Sequence, residues 1–234
     1  MNKILFQPWG GLGDNLQYST LPELYADRGW DFYVSEANAY RSPEIYDLVW
    51  GTNPFVKGIS KEPHNIGSCM YDKRLVPHKN IVFNQEIAHG FAPKNDLCKL
   101  YYKPNFIDEL KDIIVIDISG VSGSKSIPLR FNEMIREQFP GKLVVSPVFK
   151  RKVTTVVNNE FSVNGHVDVD SLMHYADVIH SCHHFVCSFS GQAVLASALG
   201  KADTTCYIPD GWQGHLTSGQ RHQFCFSNIK YVTF

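Results

Sequence analysis

Two glycines and an aspartate near the N-terminus have the types and spacing of an anion-binding turn. Residues 3–7 form a short apolar run, Gly11 and Gly13 lie in a glycine-rich turn, and Asp14 opens a segment predicted to be helical. Glycine lets a ligand or a neighbouring helix approach the backbone without a Cβ in the way. A helix that begins there directs free N–H groups and the positive end of its dipole at the turn. An anion is therefore the expected ligand.

Asp14 itself has two interpretations. As an N-cap, its carboxylate would accept a hydrogen bond from the backbone N–H two or three residues further on. As a general base, it would lie at the carboxyl end of the first strand, where open α/β sheets place their ligands. The residue type alone leaves both interpretations open.

Two cations follow the most strand-like run of the chain, residues 113–118. Lys125 ends a loop rich in glycine and serine, and its flexible stem with three donors suits a diphosphate as a point charge. Arg130 is a second, weaker candidate cation. The alternative for Lys125 is an ordinary solvated lysine.

A third group of candidates opens a predicted helix over residues 191–199. Ser188, Ser190, Gly191 and Gln192 come at the end of a predicted strand and the start of this helix. The free N–H groups of residues 190–192 could receive phosphate oxygens, and the small residues of the helix allow close packing on a sheet. The alternative is a serine that caps the helix and binds no ligand.

Three further residues suggest weaker functional hypotheses. Glu36 follows Gly13 by 23 residues, about the distance at which a dinucleotide-binding unit places its ribose-binding carboxylate, but Leu16 replaces the third glycine of that motif. His166 is predicted to lie in a loop that could hold a base. Trp212 is predicted to lie in a loop that could touch a donor. The alternative for His166 is a loop histidine with no role, and the alternative for Trp212 is a residue that only closes the core.

A metal site is not predicted. His183 and His184 are adjacent and would point to opposite sides of a strand, and Cys182 and Cys187 lack zinc-type spacing. None of the six cysteines forms a C-x-x-C pair, so free and mostly buried thiols are expected. No cofactor is predicted either.

Composition excludes several classes of protein. A formal charge of −1 and a pI near 6.8 give no electrostatic footprint for nucleic acid or for an acidic membrane. The sequence contains no apolar stretch long enough to span a membrane and no leader pattern at its N-terminus. A cytoplasmic protein of unknown oligomeric state is expected.

The element pattern predicts an α/β fold with parallel sheets and crossover helices. Two compact halves are expected, residues 1–110 and 111–234. The predicted strands are 3–7, 30–35, 80–84, 113–118, 142–146, 153–157, 185–188 and 204–208. The predicted helices are 14–28, 42–50, 129–139, 171–179 and 191–199.

Three stretches, in this order, resemble the GT-B-type glycosyltransferases, and among them the ADP-heptose:lipopolysaccharide heptosyltransferase family. The first is Gly11-Leu12-Gly13-Asp14-Asn15-Leu16 with Thr20-Leu21-Pro22 behind it. The second is Lys125-Ser126-Ile127-Pro128, where the family has an aromatic residue in place of Ile127. The third is residues 170–208, in which Ser190-Gly191 and the run from Leu195 to Gly200 stand at matching offsets.

The resemblance implies two small Rossmann-like halves, with parallel sheets facing across a cleft, in a compact GT-B-like arrangement. It implies transfer of a sugar from a nucleotide-diphosphate donor to the hydroxyl of a glycan or glycolipid, without an obligatory metal. Asp14 would be the catalytic base. Peripheral contact with a membrane is compatible with such an acceptor. The donor-binding residues would be Gly11, Gly13, Lys125, Arg130, Ser188, Ser190, Gly191 and Gln192.

The sequence departs from the family pattern at two positions. Phe189 replaces the acid that precedes the conserved Thr-Gly pair, and Val194 replaces a histidine. ADP-heptose specificity is therefore not carried over. Two alternatives to sugar transfer stay open: an NAD(P)-dependent oxidoreductase built on the first turn and Glu36, and a non-catalytic protein that binds a nucleotide-sugar or a glycan.

Overall fold

The structure is a computed structural model that describes residues 2–36, 39–40, 42–67, 79–119, 131–150, 164–208 and 225–233. Strands and helices alternate along most of these ranges. The strands are β1 (Asn2–Gln7), β2 (Trp9–Gly10), β3 (Trp30–Ser35), β4 (Ala39–Tyr40), β5 (Val56–Ser60), β6 (Ile66–Gly67), β7 (Ile114–Asp117), β8 (Val144–Phe149), β9 (Gly165–Val169), β10 (His184–Ser188), β11 (Thr204–Ile208) and β12 (Lys230–Thr233).

The helices that accompany these strands are mostly short. A π-helical turn over Tyr46–Gly51 extends the third of them, and a 3₁₀ turn covers Asp108–Leu110. Within the described ranges, no helix has the length and apolar character that crossing a bilayer requires. The α-helices are α1 (Leu12–Leu16), α2 (Leu21–Ala26), α3 (Pro43–Ile45), α4 (Ile81–Ala88), α5 (Phe131–Gln138), α6 (Leu172–Ser181) and α7 (Gly191–Ala198).

The first half of the chain forms a parallel sheet with strand order β5-β3-β1-β6. Its core is aromatic. The Phe6 ring lies 5.1 Å from the Tyr18 ring, 5.6 Å from the Phe32 ring and 5.8 Å from the Trp50 ring, and all four side chains are fully buried. These rings bury a large apolar area and fix β1, and with it the turn that follows β1.

The second half forms a larger parallel sheet with strand order β12-β11-β10-β7-β8-β9. The two innermost strands, β10 and β7, are covered on both faces, as parallel sheets usually are. Val115 and Phe185 belong to the core cluster that contains Tyr175 of α6, whereas Ile116 and Val186 pack in the cluster that contains Phe131 of α5. Two parallel sheets with covering helices confirm the predicted fold class.

Two elements differ from the sequence-based prediction in the first half. The helix predicted from Asp14 to about residue 28 is two helices, α1 and α2, separated by a turn over residues 17–20. The strand predicted over residues 80–84 is wrong, because α4 begins there. Asn80 Oδ1 accepts a hydrogen bond from the Phe83 N–H at 3.1 Å, so Asn80 caps the helix.

The second half contains strands that the sequence did not predict. His166 lies on the edge strand β9 and not in a loop, with its Nδ1 2.9 Å from Ser146 Oγ. β12 was also missed, as were β5 and β6 in the first half. The predicted strand at 153–157 lies outside the described residues. The other predicted strands and helices are confirmed to within a few residues.

The two sheets are joined by direct contacts between the halves. The Tyr102 hydroxyl and the Asn105 N–H donate to Asp177 Oδ1 on α6 at 2.8 and 2.9 Å. Glu44 Oε2 accepts from the Leu172 N–H at 2.7 Å, across the halves. The two sheets lie on either side of the predicted boundary between residues 110 and 111, which itself stays a prediction.

Candidate functional site

The turn after β1 holds the Asp14 carboxylate in a defined place. Gly11 is the N-cap of α1, and Asp14 is its third helical residue. Asp14 Oδ2 accepts a hydrogen bond from the Gly11 N–H at 2.8 Å, so the side chain reaches back toward the turn. The prediction of Asp14 as the N-cap is therefore wrong, although its carboxylate does satisfy a backbone N–H at the start of the helix.

Gly10 makes room for this carboxylate. Its φ of +91° favours glycine, and a Cβ at this position would lie 2.7 Å from Asp14 Cγ, well inside contact distance. The sequence pattern indicated Gly11 and Gly13 as site residues but not Gly10. The observable signal was the pair of adjacent glycines directly before the helix.

Gly13 and Gly191 bring the two halves into backbone contact. A Cβ on Gly13 would lie 3.1 Å from Gly191 Cα, and a Cβ on Gly191 would lie 3.1 Å from the Gly13 nitrogen. The N-termini of α1 and α7 therefore meet directly. The contact brings Gly13 of the first half to Gly191 of the second, and Gly11 and Asp14 belong to the same helix start as Gly13.

The start of α7 carries polar side chains with unused hydrogen-bonding capacity. Ser190 occupies the N-cap position, but its side chain makes no capping hydrogen bond, so the alternative of an ordinary serine cap lacks the hydrogen bond that defines it. Three solvent-inaccessible atoms at this edge have no hydrogen-bond partner in the described part of the chain: Ser188 Oγ, Ser190 Oγ and Gln192 Oε1. Such atoms indicate a place for water or ligand.

A buried carboxyl group that the sequence analysis missed lies beside these atoms. Asp117 ends β7, is 4% exposed, and accepts hydrogen bonds from the Tyr175 hydroxyl, the Ser119 hydroxyl and, at 2.9 Å, the Ser119 N–H. Burial raises the pKa of Asp117, and the hydrogen bonds from Ser119, Tyr175 and Gln192 oppose that rise. Its signal in the sequence was a carboxylate that closes a buried strand directly before a loop of glycine and serine.

The other candidates do not join this site in the described chain. Lys125, Arg130 and Trp212 lie outside the described residues, so their roles stay predictions. Glu36 is exposed at the end of β3, where its N–H donates to the Ser60 carbonyl at 2.7 Å. His166 is exposed on β9.

The cysteines and histidines have structural partners. The five described cysteines are buried thiols with no disulfide among them, as expected, and Cys69 lies outside the described residues. His184 Nε2 lies 2.9 Å from Thr205 Oγ1 on the neighbouring strand, and burial lowers the pKa of His184. Among the residues with described positions, no three His, Cys, Asp or Glu side chains are grouped to hold a metal ion.

Comparison with known proteins gives a fold assignment. No protein-family profile matches the chain, and no curated protein sequence matches it. Solved structures do match. The chain is similar to ADP-heptose LPS heptosyltransferase II of E. coli, with a TM-score of 0.67 at 11% sequence identity, over 99% of this chain and 90% of that one.

Two further structures give TM-scores close to this one. A family 9 glycosyl transferase of Veillonella parvula gives a TM-score of 0.64 at 10% identity, covering 100% of this chain and 86% of that one. The iron-containing dodecameric heptosyltransferase TibC of enterotoxigenic E. coli, in complex with ADP-D-β-D-heptose, gives 0.64 at 11% identity, covering 88% and 58%. The chain thus has the GT-B-like fold of these glycosyltransferases, and the resemblance seen in the sequence is confirmed at the level of the fold.

The glycine contact between the halves yields a prediction about stability. Replacing Gly191 by alanine places a methyl group against the Gly13 backbone, and overpacking of this kind costs about 1–3 kcal/mol. We expect Gly191→Ala to lower the free energy of unfolding by that amount in urea denaturation. Gly165→Ala is the matched control, because its Cβ would meet only Val145 Cγ1 at 3.9 Å. Equal stability of Gly191→Ala and the control would contradict the close approach.

Proposed function

We propose that the protein is a glycosyltransferase that moves a sugar from a nucleoside-diphosphate donor to a hydroxyl of a glycan or glycolipid. One observation carries the proposal. The backbones of Gly13 and Gly191 meet where the two Rossmann-like halves join, which puts the helix start that carries Asp14 next to the start of α7. A carboxylate from one half and a positively polarised helix end from the other are what sugar transfer requires.

Asp14 is the proposed catalytic base. Sugar transfer needs a group that takes the proton of the acceptor hydroxyl as that oxygen attacks the anomeric carbon of the donor. The hydrogen bond from the Gly11 N–H to Asp14 Oδ2 fixes the orientation of the carboxylate before substrate arrives. Gly10 keeps the necessary space open. The residue is half-buried, so an acceptor can reach it.

The second half is proposed to bind the leaving diphosphate. The N-terminus of α7 offers free backbone N–H groups and the positive end of its dipole, and Ser188 and Ser190 offer hydroxyl groups that no described residue engages. Lys125 and Arg130 are proposed to add positive charge. With these groups the reaction needs no metal, although the similar protein TibC is described as containing iron.

Specificity for ADP-heptose is not part of the proposal, and the identity of the donor stays open. Phe189 is 9% exposed with its ring 6.2 Å from that of Tyr231, and Val194 is 3% exposed. Both positions are filled by core side chains, so neither supplies a polar contact to a sugar. The fold neighbours are glycosyltransferases, and this does not favour the oxidoreductase alternative.

The first test of this proposal is a thermal-shift screen with UDP, GDP, ADP, CMP and dTDP and their sugars. A ligand that binds only the folded state stabilises it by about 2.7 kcal/mol at a concentration 100 times its Kd. We expect at least one nucleoside diphosphate to raise Tm, and Lys125→Ala to abolish that shift. Lys111→Ala is the control, because Lys111 is an exposed partner of Asp108. Absence of any shift would contradict the proposal.

The second test measures turnover with the donor that the screen identifies. Asp14→Asn removes the proposed base, and loss of general-base catalysis lowers kcat by about 10²–10⁴-fold. We expect donor binding to stay unchanged and EDTA to leave wild-type transfer unaffected. Asp27→Asn, a change at an exposed carboxylate paired with Lys94, is the control. A wild-type protein that binds the donor but neither transfers nor hydrolyses it would instead be the non-catalytic binding protein.

A further inference from the structure

We propose that the side-chain carbonyl oxygen of Gln192 accepts a hydrogen bond from a hydroxyl group of the donor. The buried Asp117 positions the Gln192 side chain for this contact through Ser119. The proposal rests on the function proposed above and adds a specificity-determining residue with its support.

Asp117 occupies a defined place in the second sheet. β7 and β10 are neighbouring parallel strands, and Asp117 pairs in register with Cys187, one residue before Ser188. Asp117 is therefore at the carboxyl end of the sheet, at the same edge as the start of α7. Ligands of open parallel sheets bind at this edge.

Both oxygens of the Asp117 carboxyl group accept hydrogen bonds. The Tyr175 hydroxyl donates to Oδ2, and the Ser119 N–H and hydroxyl donate to Oδ1. These three donors come from α6 and from the chain directly after β7, and the Gln192 side chain at the start of α7 also hydrogen-bonds to this carboxyl group. A buried carboxyl group with this many partners locks the elements that supply them, because releasing one partner leaves a costly unsatisfied group.

Ser119 in turn contacts the side chain of Gln192. The Gln192 Nε2 group donates a hydrogen bond to the Ser119 carbonyl oxygen. A carbonyl oxygen can only accept, so the amide of Gln192 must present its nitrogen to Ser119 and its oxygen away from it. Asp117 fixes Ser119, and Ser119 fixes the orientation of the Gln192 amide.

The side-chain oxygen of Gln192 can bind only a group that donates a hydrogen bond. Gln192 Oε1 is inaccessible to solvent and accepts no hydrogen bond from the described residues. This atom accepts and cannot donate, so it cannot pair with a phosphate oxygen, which carries no proton at neutral pH. Its partner must bring an O–H or N–H group. In a nucleotide-sugar whose diphosphate lies at this helix start, the donors next to the diphosphate are hydroxyls of the ribose or of the sugar, because the N–H groups of the base lie beyond the ribose.

The experiment measures dissociation constants by isothermal titration calorimetry on the full chain. The probes are the nucleoside diphosphate that raises Tm, the corresponding nucleotide-sugar, and inorganic pyrophosphate, which has no sugar hydroxyl. Gln192→Met removes the acceptor with little change in shape. We expect it to weaken binding of a hydroxyl-bearing probe about tenfold, the range of one lost hydrogen bond, and to leave pyrophosphate affinity unchanged.

The two hydroxyl-bearing probes separate the two sources of the hydroxyl. Weaker binding of both the diphosphate and its sugar assigns the contact to ribose, and weaker binding of the nucleotide-sugar alone assigns it to the sugar. Unchanged affinity for both, or an equal loss with pyrophosphate, would overturn the proposal. If the wild-type protein binds none of the nucleotides, the proposed function itself fails, and the inference fails with it.

The positioning role of Asp117 is tested by a double-mutant cycle. Asp117→Asn should weaken the affected probe in the wild-type background, with no further loss in the Gln192→Met background, because Asp117 acts through Gln192. A merely structural role would give the same loss in both backgrounds and would overturn this part. Tyr175→Phe, which removes one donor to Asp117, gives the same test with a milder change should Asp117→Asn fail to fold.

The chain offers a matched control for this cycle. Asp177 is another buried aspartate that accepts from a tyrosine hydroxyl and a backbone N–H, but its partners are Tyr102 and Asn105 in the segment that joins the halves. Asp177→Asn should lower Tm and leave affinity for all three probes within about twofold of wild type, since its network does not lead to the α7 edge. A tenfold loss of affinity in this control would show that any buried aspartate suffices, and would contradict a specific role for Asp117.

Discussion

The contact between the backbones of Gly13 and Gly191 is the constraint on which the site depends. Each glycine lies in the first turn of a helix, and the two helices belong to different halves of the chain. A side chain on either glycine would force the helix ends apart. Because both helices present their N-termini here, two positive dipole ends converge at one place. Such an arrangement favours an anion at this junction, which supports the proposal that a diphosphate binds there.

Around this contact the two halves use their polar groups differently. In the first half, Gly10 and the Gly11 N–H hold the Asp14 carboxylate. In the second half, the Asp117 carboxyl group is buried and satisfied by protein donors, whereas the hydroxyl oxygens of Ser188 and Ser190 and the side-chain oxygen of Gln192, at the same edge of the sheet, have no described partner. Polar atoms without a partner that are supported by a fully hydrogen-bonded network, here the network of Asp117, are typical of a preorganised binding site.

Much of this arrangement could be predicted from the sequence. The glycine turn, the strand at residues 30–35 and the strand–helix–strand run from 184 to 208 carry strong local signals, since apolar runs end at glycine or serine where the structure turns. The meeting of the α1 and α7 helix starts could be expected only from the resemblance to GT-B-type enzymes, because no local sequence pattern indicates which loops face each other.

The errors have physical causes as well. The run from Ile81 to Phe83 reads as a strand by its β-branched and aromatic residues, but the Asn80 cap and burial against the first sheet make it a helix, a tertiary effect on weak local propensity. Gly10 and Asp117 were missed because their importance lies in contacts with Asp14, Tyr175 and Ser119. Spacing along the chain does not reveal contacts between positions 58 residues apart, the separation of Asp117 and Tyr175.

The central claim is that residues of both halves form a single donor site, and hydrogen-exchange mass spectrometry with the stabilising nucleoside diphosphate tests it most directly. Bound ligand should slow exchange of backbone amides both in residues 10–16 and in residues 188–194, while α4, which lies outside the site, keeps its exchange rates. Protection of only one of the two helix starts, or of neither, would contradict a site shared between the halves.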